Sequence, residues 1–396
     1  MTVWQDMEES LAAAVAADLL RRPVVLDSAC GPRVKIDGRE VVCLCSNDYL
    51  SLANDPAVKA AAAAALDQWG VGAGASRLVS GTSRLHVQLE EELAAFKGTE
   101  AALATSTGWM ANHAAIAALA GEGDLILCDK LNHASIIDAA QSCGARLRTY
   151  GHCDMDRLER LLSSHRGQHR RCLIVTDSLF SMDGNLAPLG EIVALKQRYD
   201  AMLLIDEAHA TGVLGPLGRG AAELLGVEEQ VDAVVGTLSK AIGGLGGFVA
   251  GRRVLVETIV NSGRAFIYTT ALPPALCAAA IESIRIIQAQ PQRREKLLQL
   301  AARVRPAFAQ QAPAGAEAGA NPAVTQIIPI MIGPAGQAMA VSRALLKEGF
   351  LVPAIRPPTV PKGTSRLRVS LCSGHTMGEL IGFVSALEFA LRVDRK

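Results

Sequence analysis

Residues 201–215 read AMLLIDEAHATGVLG: five apolar residues run into Asp206, and His209 follows three positions later where the chain turns. An unbroken apolar run of this length, bounded by polar and turn residues, predicts a strand buried on both faces. The pattern recurs at 101–106 (AALATS), 125–129 (LILCD), 172–177 (CLIVTD), 231–236 (VDAVVG) and 247–250 (GFVA). Helical stretches at 86–97, 109–120, 154–162 and 188–199 separate most of these runs. Strand, helix, strand at this spacing predicts βαβ units and an α/β fold with a largely parallel sheet.

Outward from this centre the pattern changes. Residues 1–22 repeat apolar residues at helical spacing, and 24–45 alternate around Asp37-Gly38, a hairpin signal. Downstream, a Gln/Arg/Glu-rich helix is expected over about 281–311, followed by a surface loop at 312–323 (APAGAEAGANPA). Strands at 325–332 and 366–372 with helices at 335–348 and 376–392 predict a smaller α+β domain. The expected division is an N-terminal segment (1–50), a large domain (51–285) and a small C-terminal domain (286–396).

The 396 residues carry 39 basic and 39 acidic side chains, so the formal charges cancel. Such a balance lacks the basic footprint of a nucleic-acid or anionic-membrane binder and points to small molecules as partners. The N-terminus lacks the basic start and apolar core of a signal peptide, and no run reaches the ~18 apolar residues of a membrane span. A cytoplasmic protein is expected. The nine cysteines are scattered without CxxC or paired Cys/His spacing, which favours free thiols over metal or disulfide. Cys43 and Cys45 have the spacing of strand neighbours facing one side.

Ligands of open parallel sheets gather at the carboxyl ends of the strands. Five predicted strands end in polar residues: Thr105 to Gly108, Asp129 with Asn132-His133, Asp177-Ser178, Asp206 with His209, and Thr237 with Ser239-Lys240. Gly108 and Trp109 open a helix, a place suited to a phosphate, or one that Ser106 or Thr107 merely caps. Asp206 calls for a cation such as a pyridinium N–H, with His209 beside it; the plain alternative is a capping carboxylate and a core histidine. Lys240, between hydroxyls and a glycine-rich run, suits an amine that forms an imine; alone it would read as a solvated lysine. His133 is placed to stack on a flat ring, or simply to enter a helix. Arg366 and Arg368 are read as facing opposite sides of their strand, one toward a substrate carboxylate and the other toward solvent.

With these residues assembled, the chain resembles the α-oxoamine synthase family of fold-type I pyridoxal-phosphate enzymes over nearly its whole length. The resemblance is carried by SNDYL (46–50), NHAS (132–135), FSMDG (180–184), DEAHATGVLG (206–215), TLSKAIGGLGG (237–247) and IRPPTVPKGTSRLRVSLCSGH (355–375). It implies a mostly parallel seven-stranded sheet with a small C-terminal domain, and pyridoxal 5'-phosphate bound to Lys240 as a Schiff base. It further implies that His133 stacks on the ring, Asp206 pairs with the ring nitrogen, and His209 and Ser181 hold the phenolic oxygen. Gly108, Trp109 and Thr237 would bind the phosphate, with Thr269 or Thr270 from a second subunit of a homodimer. Asn47 would lie near the cofactor, Arg368 would hold the amino-acid carboxylate, and Arg21 and Thr359 would touch substrate. The implied reaction is decarboxylative condensation of L-alanine with the thioester of pimeloyl-CoA or a pimeloyl carrier protein. Trp109 departs from the Phe or Tyr usual in relatives, and the chain after Arg21-Arg22 is slightly short. Other members of the family, acting on glycine or serine, share the same motifs. A non-catalytic α/β nucleotide-binding module is the remaining alternative, but it would place G-x-G-x-x-G directly after a strand.

Overall fold

A computed structural model of the chain describes residues 2–311 and 324–393; the expected loop at 312–323 lies outside them. The N-terminal hairpin pairs β1 (Arg33–Ile36) with β2 (Arg39–Cys43). Its turn residues Asp37 and Gly38 have φ of 49° and 73°, the two positive angles that a tight two-residue turn requires. Cys43 and Cys45 do share a side, with Sγ atoms 3.8 Å apart, and all nine cysteines are free.

The large sheet holds β3 (Ala101–Thr105), β4 (Leu125–Asp129), β5 (Arg146–Tyr150), β6 (Cys172–Asp177), β7 (Met202–Asp206), β8 (Ala233–Thr237) and β9 (Gly247–Gly251). Their order across the sheet is β3-β9-β8-β7-β6-β4-β5. Strand periodicity splits the apolar runs between two faces. Leu203 and Ile205 of β7 pack in one cluster with Leu158 and Ile192, and Leu204 packs in the other with Ala111, Ile136 and Ile259. Each such leucine or isoleucine, fully buried, contributes about 1.5–3 kcal/mol.

The sheet is mostly parallel, as expected, with two features that the sequence reading did not specify. β9 runs antiparallel to both neighbours, because residues 238–246 are too few for the crossover that a parallel return needs. β5 was not among the predicted strands: RLRTY is an edge strand with two arginines, largely open to solvent.

The first helix covers Val3–Ala16, shorter than expected, and starts at a capping box between Thr2 and Gln5. Its apolar residues Trp4, Met7, Leu11 and Val15 are all exposed. The single helix expected over 281–311 is two, Pro274–Ala289 and Gln292–Val304. Pro291 divides them, having no N–H to continue the first ladder. In the C-terminal region β10 (Ile327–Gly333), β11 (Phe350–Leu351), β12 (Ala354–Ile355) and β13 (Ser365–Ser370) flank helices Ala335–Lys347 and Met377–Val393. β10, β13 and β12 form one small sheet, whereas β11 joins the N-terminal hairpin alongside β2. No helix among the described residues is long and apolar enough to cross a membrane.

Candidate active site

The register of the large sheet brings the polar strand ends to one edge. Asp177 of β6 lies opposite Asp206 of β7, and Thr237 of β8 and Thr105 of β3 both lie opposite Gly247. Beyond this edge is a cavity of about 280 Å³. Gly108, Trp109, His133, Asp206, His209, Thr237 and Lys240, all named from the sequence, line it together with Asn112 and Ser239.

One end of the cavity suits an anion. Helix Gly108–Leu119 starts here, with the Thr107 hydroxyl accepting the Met110 N–H at 3.2 Å. The N–H groups of Gly108 and Trp109 are among those a helix start leaves without intrahelical partners. Thr237 Oγ1 and Ser239 Oγ stand 2.7 Å apart beside them. Gly247 makes the approach possible: a β-carbon there would lie 2.5 Å from the Thr107 carbonyl and 2.6 Å from the Gly108 nitrogen. Gly247→Ala therefore displaces the helix start, at a typical overpacking cost of about 1–3 kcal/mol. The expected result is at least a roughly tenfold loss of pyridoxal-phosphate affinity with the fold retained. Equilibrium titration of the apoprotein measures it, and unchanged affinity would remove this helix start from the anion site.

At the other end Asp206, only 6% exposed, accepts from Asn112 Nδ2 and from the Ala208 N–H, both at 2.8 Å. Both hydrogen bonds come from neutral donors, so the carboxylate can still take a cationic partner from a bound ring. Asp177 behaves differently. Burial and the adjacent charge of Asp206 push its carboxyl well above the usual range. It also accepts the His133 N–H at 2.8 Å, fixing the turn that carries His133. That ring is edge-on to Trp109, and burial, with Lys240 nearby, lowers its basicity.

Between the two ends, Lys240 Nζ lies 2.8 Å from His209 Nε2. Burial lowers the amine to about 8; the charge of Arg368 works the same way, while Asp206 and Asp177 oppose it. Burial, then the charges of Lys240 and Arg368, hold His209 well below its ordinary value, so its ring is neutral. A nucleophilic amine, an anion cradle and a buried carboxylate fit a phosphorylated aldehyde whose aromatic ring bears a cationic nitrogen.

The remaining sequence candidates lie around this centre. Arg368 donates from Nε to the Ser181 carbonyl and from Nη1 to Asn47 Oδ1 at 3.1 Å. Ser181 and Asn47 thus come together through Arg368, outside the cavity wall itself. The reading of Arg366 as a surface charge on the opposite face is wrong. Residues two apart in a strand share a face, and both arginines are buried, with Arg366 paired to Asp183. Arg21 donates to the Pro357 carbonyl at 2.8 Å, and Thr359 is exposed in the loop beyond it, so both sit away from the cavity. Thr270 accepts from Ser106 through its carbonyl, and with Thr269 it borders a separate small hollow. Sequence reasoning missed Asn112 and Tyr49. The only signal for Asn112 was an amide within an apolar helix; for Tyr49 it was membership of SNDYL.

Asp129, His152 and Cys153 form one further group of possible metal donors. The Asp129 carboxylate is engaged by His152 at 3.2 Å and by the N–H groups of Leu131 and Cys153, each at 2.8 Å. It anchors the turn leading to His133. Burial opposes charge on His152, yet the Asp129 pairing and Cys153 raise that imidazole to about 10.

Residues 39–387 match the family model described as aminotransferase class I and II. The chain belongs to this family. Among aminotransferase class I and II relatives, the 8-amino-7-oxononanoate synthase of Geobacter sulfurreducens is 50% identical over 361 residues, 90% of each chain. The serine palmitoyltransferase of Sphingomonas wittichii superposes with a TM-score of 0.92 at 33% identity, covering 100% of this chain and 99% of the other. A further serine palmitoyltransferase, solved with PLP, is 32% identical with the same TM-score over 100% of both chains.

Proposed function

We propose that this enzyme is an 8-amino-7-oxononanoate synthase, joining L-alanine to pimeloyl-CoA or a pimeloyl carrier protein with release of CO2 and free thiol, a step of biotin synthesis. The observation that carries the reading is the 50% identity to a relative of that name across 90% of both chains. Serine palmitoyltransferases share the fold at about 33% identity, so the fold gives the chemistry in common and the sequence kinship gives the substrates.

Pyridoxal 5'-phosphate, when bound, would supply an electron sink for the amino-acid α-carbon. The chain supplies the rest. Gly108, Trp109, Thr237 and Ser239 hold the phosphate. Asp206, oriented by Asn112, keeps the ring nitrogen protonated. Lys240 would provide the covalent attachment, and its amine would serve as the base for the α-proton. His209 would hydrogen-bond the phenolic oxygen, and His133 would pack against the ring. Arg368 binds the amino-acid carboxylate that later leaves as CO2. Two copies would form the working unit: the exposed apolar residues Trp4, Leu78, Val79 and Tyr268 offer surface for such pairing.

The test is product formation from alanine, glycine and serine, each with pimeloyl-, acetyl- and palmitoyl-CoA. Alanine with pimeloyl-CoA should lead. One methyl group in an apolar pocket gives about 10–200-fold in kcat/KM, which sets the expected margin over glycine. Product from serine and palmitoyl-CoA alone would replace this reading with the serine palmitoyltransferase one.

A further inference from the structure

Lys240 is joined to Arg368 by an uninterrupted chain of side chains through His209 and Tyr49. The Tyr49 hydroxyl lies 2.6 Å from His209 Nδ1, and His209 Nε2 lies 2.8 Å from Lys240 Nζ. On the other side, Arg368 Nη2 donates to the same hydroxyl at 3.3 Å, and Arg368 Nη1 donates to Asn47 Oδ1 at 3.1 Å. Tyr49 has no solvent exposure, so its single hydroxyl proton has two acceptors within reach: His209 Nδ1 and, at 3.1 Å, Asn47 Oδ1.

We propose that Tyr49 is a positioning residue that couples carboxylate capture at Arg368 to the protonation of the Lys240 nitrogen. The proposal rests on the roles given above to Lys240 and Arg368. Without substrate, Arg368 occupies one acceptor, Asn47 Oδ1, and polarises the phenol by donating to its oxygen. The proton then goes to the nearer acceptor, Nδ1, which fixes neutral His209 with its hydrogen on Nε2, aimed at Lys240. A donor facing the amine favours the unprotonated nitrogen.

A carboxylate bound to Arg368 neutralises that guanidinium and draws its N–H groups away. Asn47 Oδ1 becomes free to accept the phenol proton, His209 turns to its Nδ1–H form, and Nε2 no longer donates a hydrogen to Lys240 or to the cofactor's phenolic oxygen. The nitrogen of Lys240 becomes more basic when the amino acid is seated. The other groups facing Lys240 are Asp206 and Asp177, which favour its charge, Arg368, which opposes it, and the imidazole of His133. Gln326 also faces the Tyr49 hydroxyl and donates from Nε2 to the His209 carbonyl at 2.7 Å, which holds that ring in place.

The experiment titrates the visible absorbance of the holoenzyme with pH, with and without propionate, a carboxylate that lacks the amine. In the natural protein propionate should raise the midpoint by about one unit. In Tyr49→Phe only the direct neutralisation of Arg368 remains, so the shift should fall to less than about half of that. A Tyr49→Phe holoenzyme whose midpoint and propionate shift match the natural protein overturns the proposal. Nitrogen-15 NMR of labelled histidine in the natural protein needs no variant. It should find the His209 proton on Nε2 and see it move to Nδ1 with propionate; a proton on Nδ1 from the outset overturns the coupling. Absence of any absorbance band would instead overturn the role of Lys240.

Discussion

Replacing Lys240 with alanine abolishes the visible absorbance of the loaded protein and lowers turnover by at least roughly 10⁴-fold, since attachment and proton transfer are lost together. Borohydride reduction followed by peptide mapping should place the label on Lys240 in the natural protein and nowhere in the variant. A yellow, active variant would refute the assignment. The pH dependence of cofactor capture gives a second check. Burial brings this amine down to about 8. At about pH 7.5 an ordinary lysine is neutral in roughly one molecule in a thousand, and Lys240 in roughly a quarter. Only the neutral amine attacks an aldehyde, so capture should quicken about tenfold per pH unit below 8 and level off above it. A rate still climbing near pH 10 would mean that the pocket does not depress the amine.

Asp206→Ala is the second large effect. Removing one member of a buried ion pair costs about 3–5 kcal/mol, and a loss of that size falling in the transition state slows turnover by roughly 10²–10⁴-fold. Asp206→Asn is the informative companion. It preserves shape while withdrawing the charge, so both variants should be slow and only the alanine variant should lose the hydrogen bond from Asn112. Turnover unchanged in Asp206→Asn would take the carboxylate out of any role in keeping the ring nitrogen cationic.

The interior parallel strands were legible because each is buried on both faces, which leaves a short unbroken apolar run between turn residues. The strand ends were legible for the same reason, since Asp206, Thr237 and Asp177 interrupt such runs abruptly. The direction of β9 was not, because an apolar run looks the same read either way, and only the short 238–246 link decides it. β5 escaped because an edge strand alternates weakly and carries charge. Pro291 was in plain view, and the helix expected over 281–311 ran through it. The pairing of Arg366 and Arg368 was misjudged by applying the wrong strand period, although side chains two apart had been placed on one side at Cys43 and Cys45. Tyr49 had no signal beyond its place in SNDYL: its partner His209 is 160 residues away, and only the folded chain brings phenol and imidazole together.

The sharing of one small sheet by β2 and β11 has a consequence for biogenesis. Val42 and Cys43 pair along β11 with Phe350 and Leu351, and the Leu44 and Tyr49 carbonyls are satisfied by the N–H groups of Ser370 and Ser373. These early residues leave the ribosome some three hundred residues before the segments that secure them, and pairings so distant in sequence are slow to form. Asn47 and Tyr49 are translated well before the segments that seat them, so a nascent or C-terminally truncated chain has no finished catalytic centre to act prematurely.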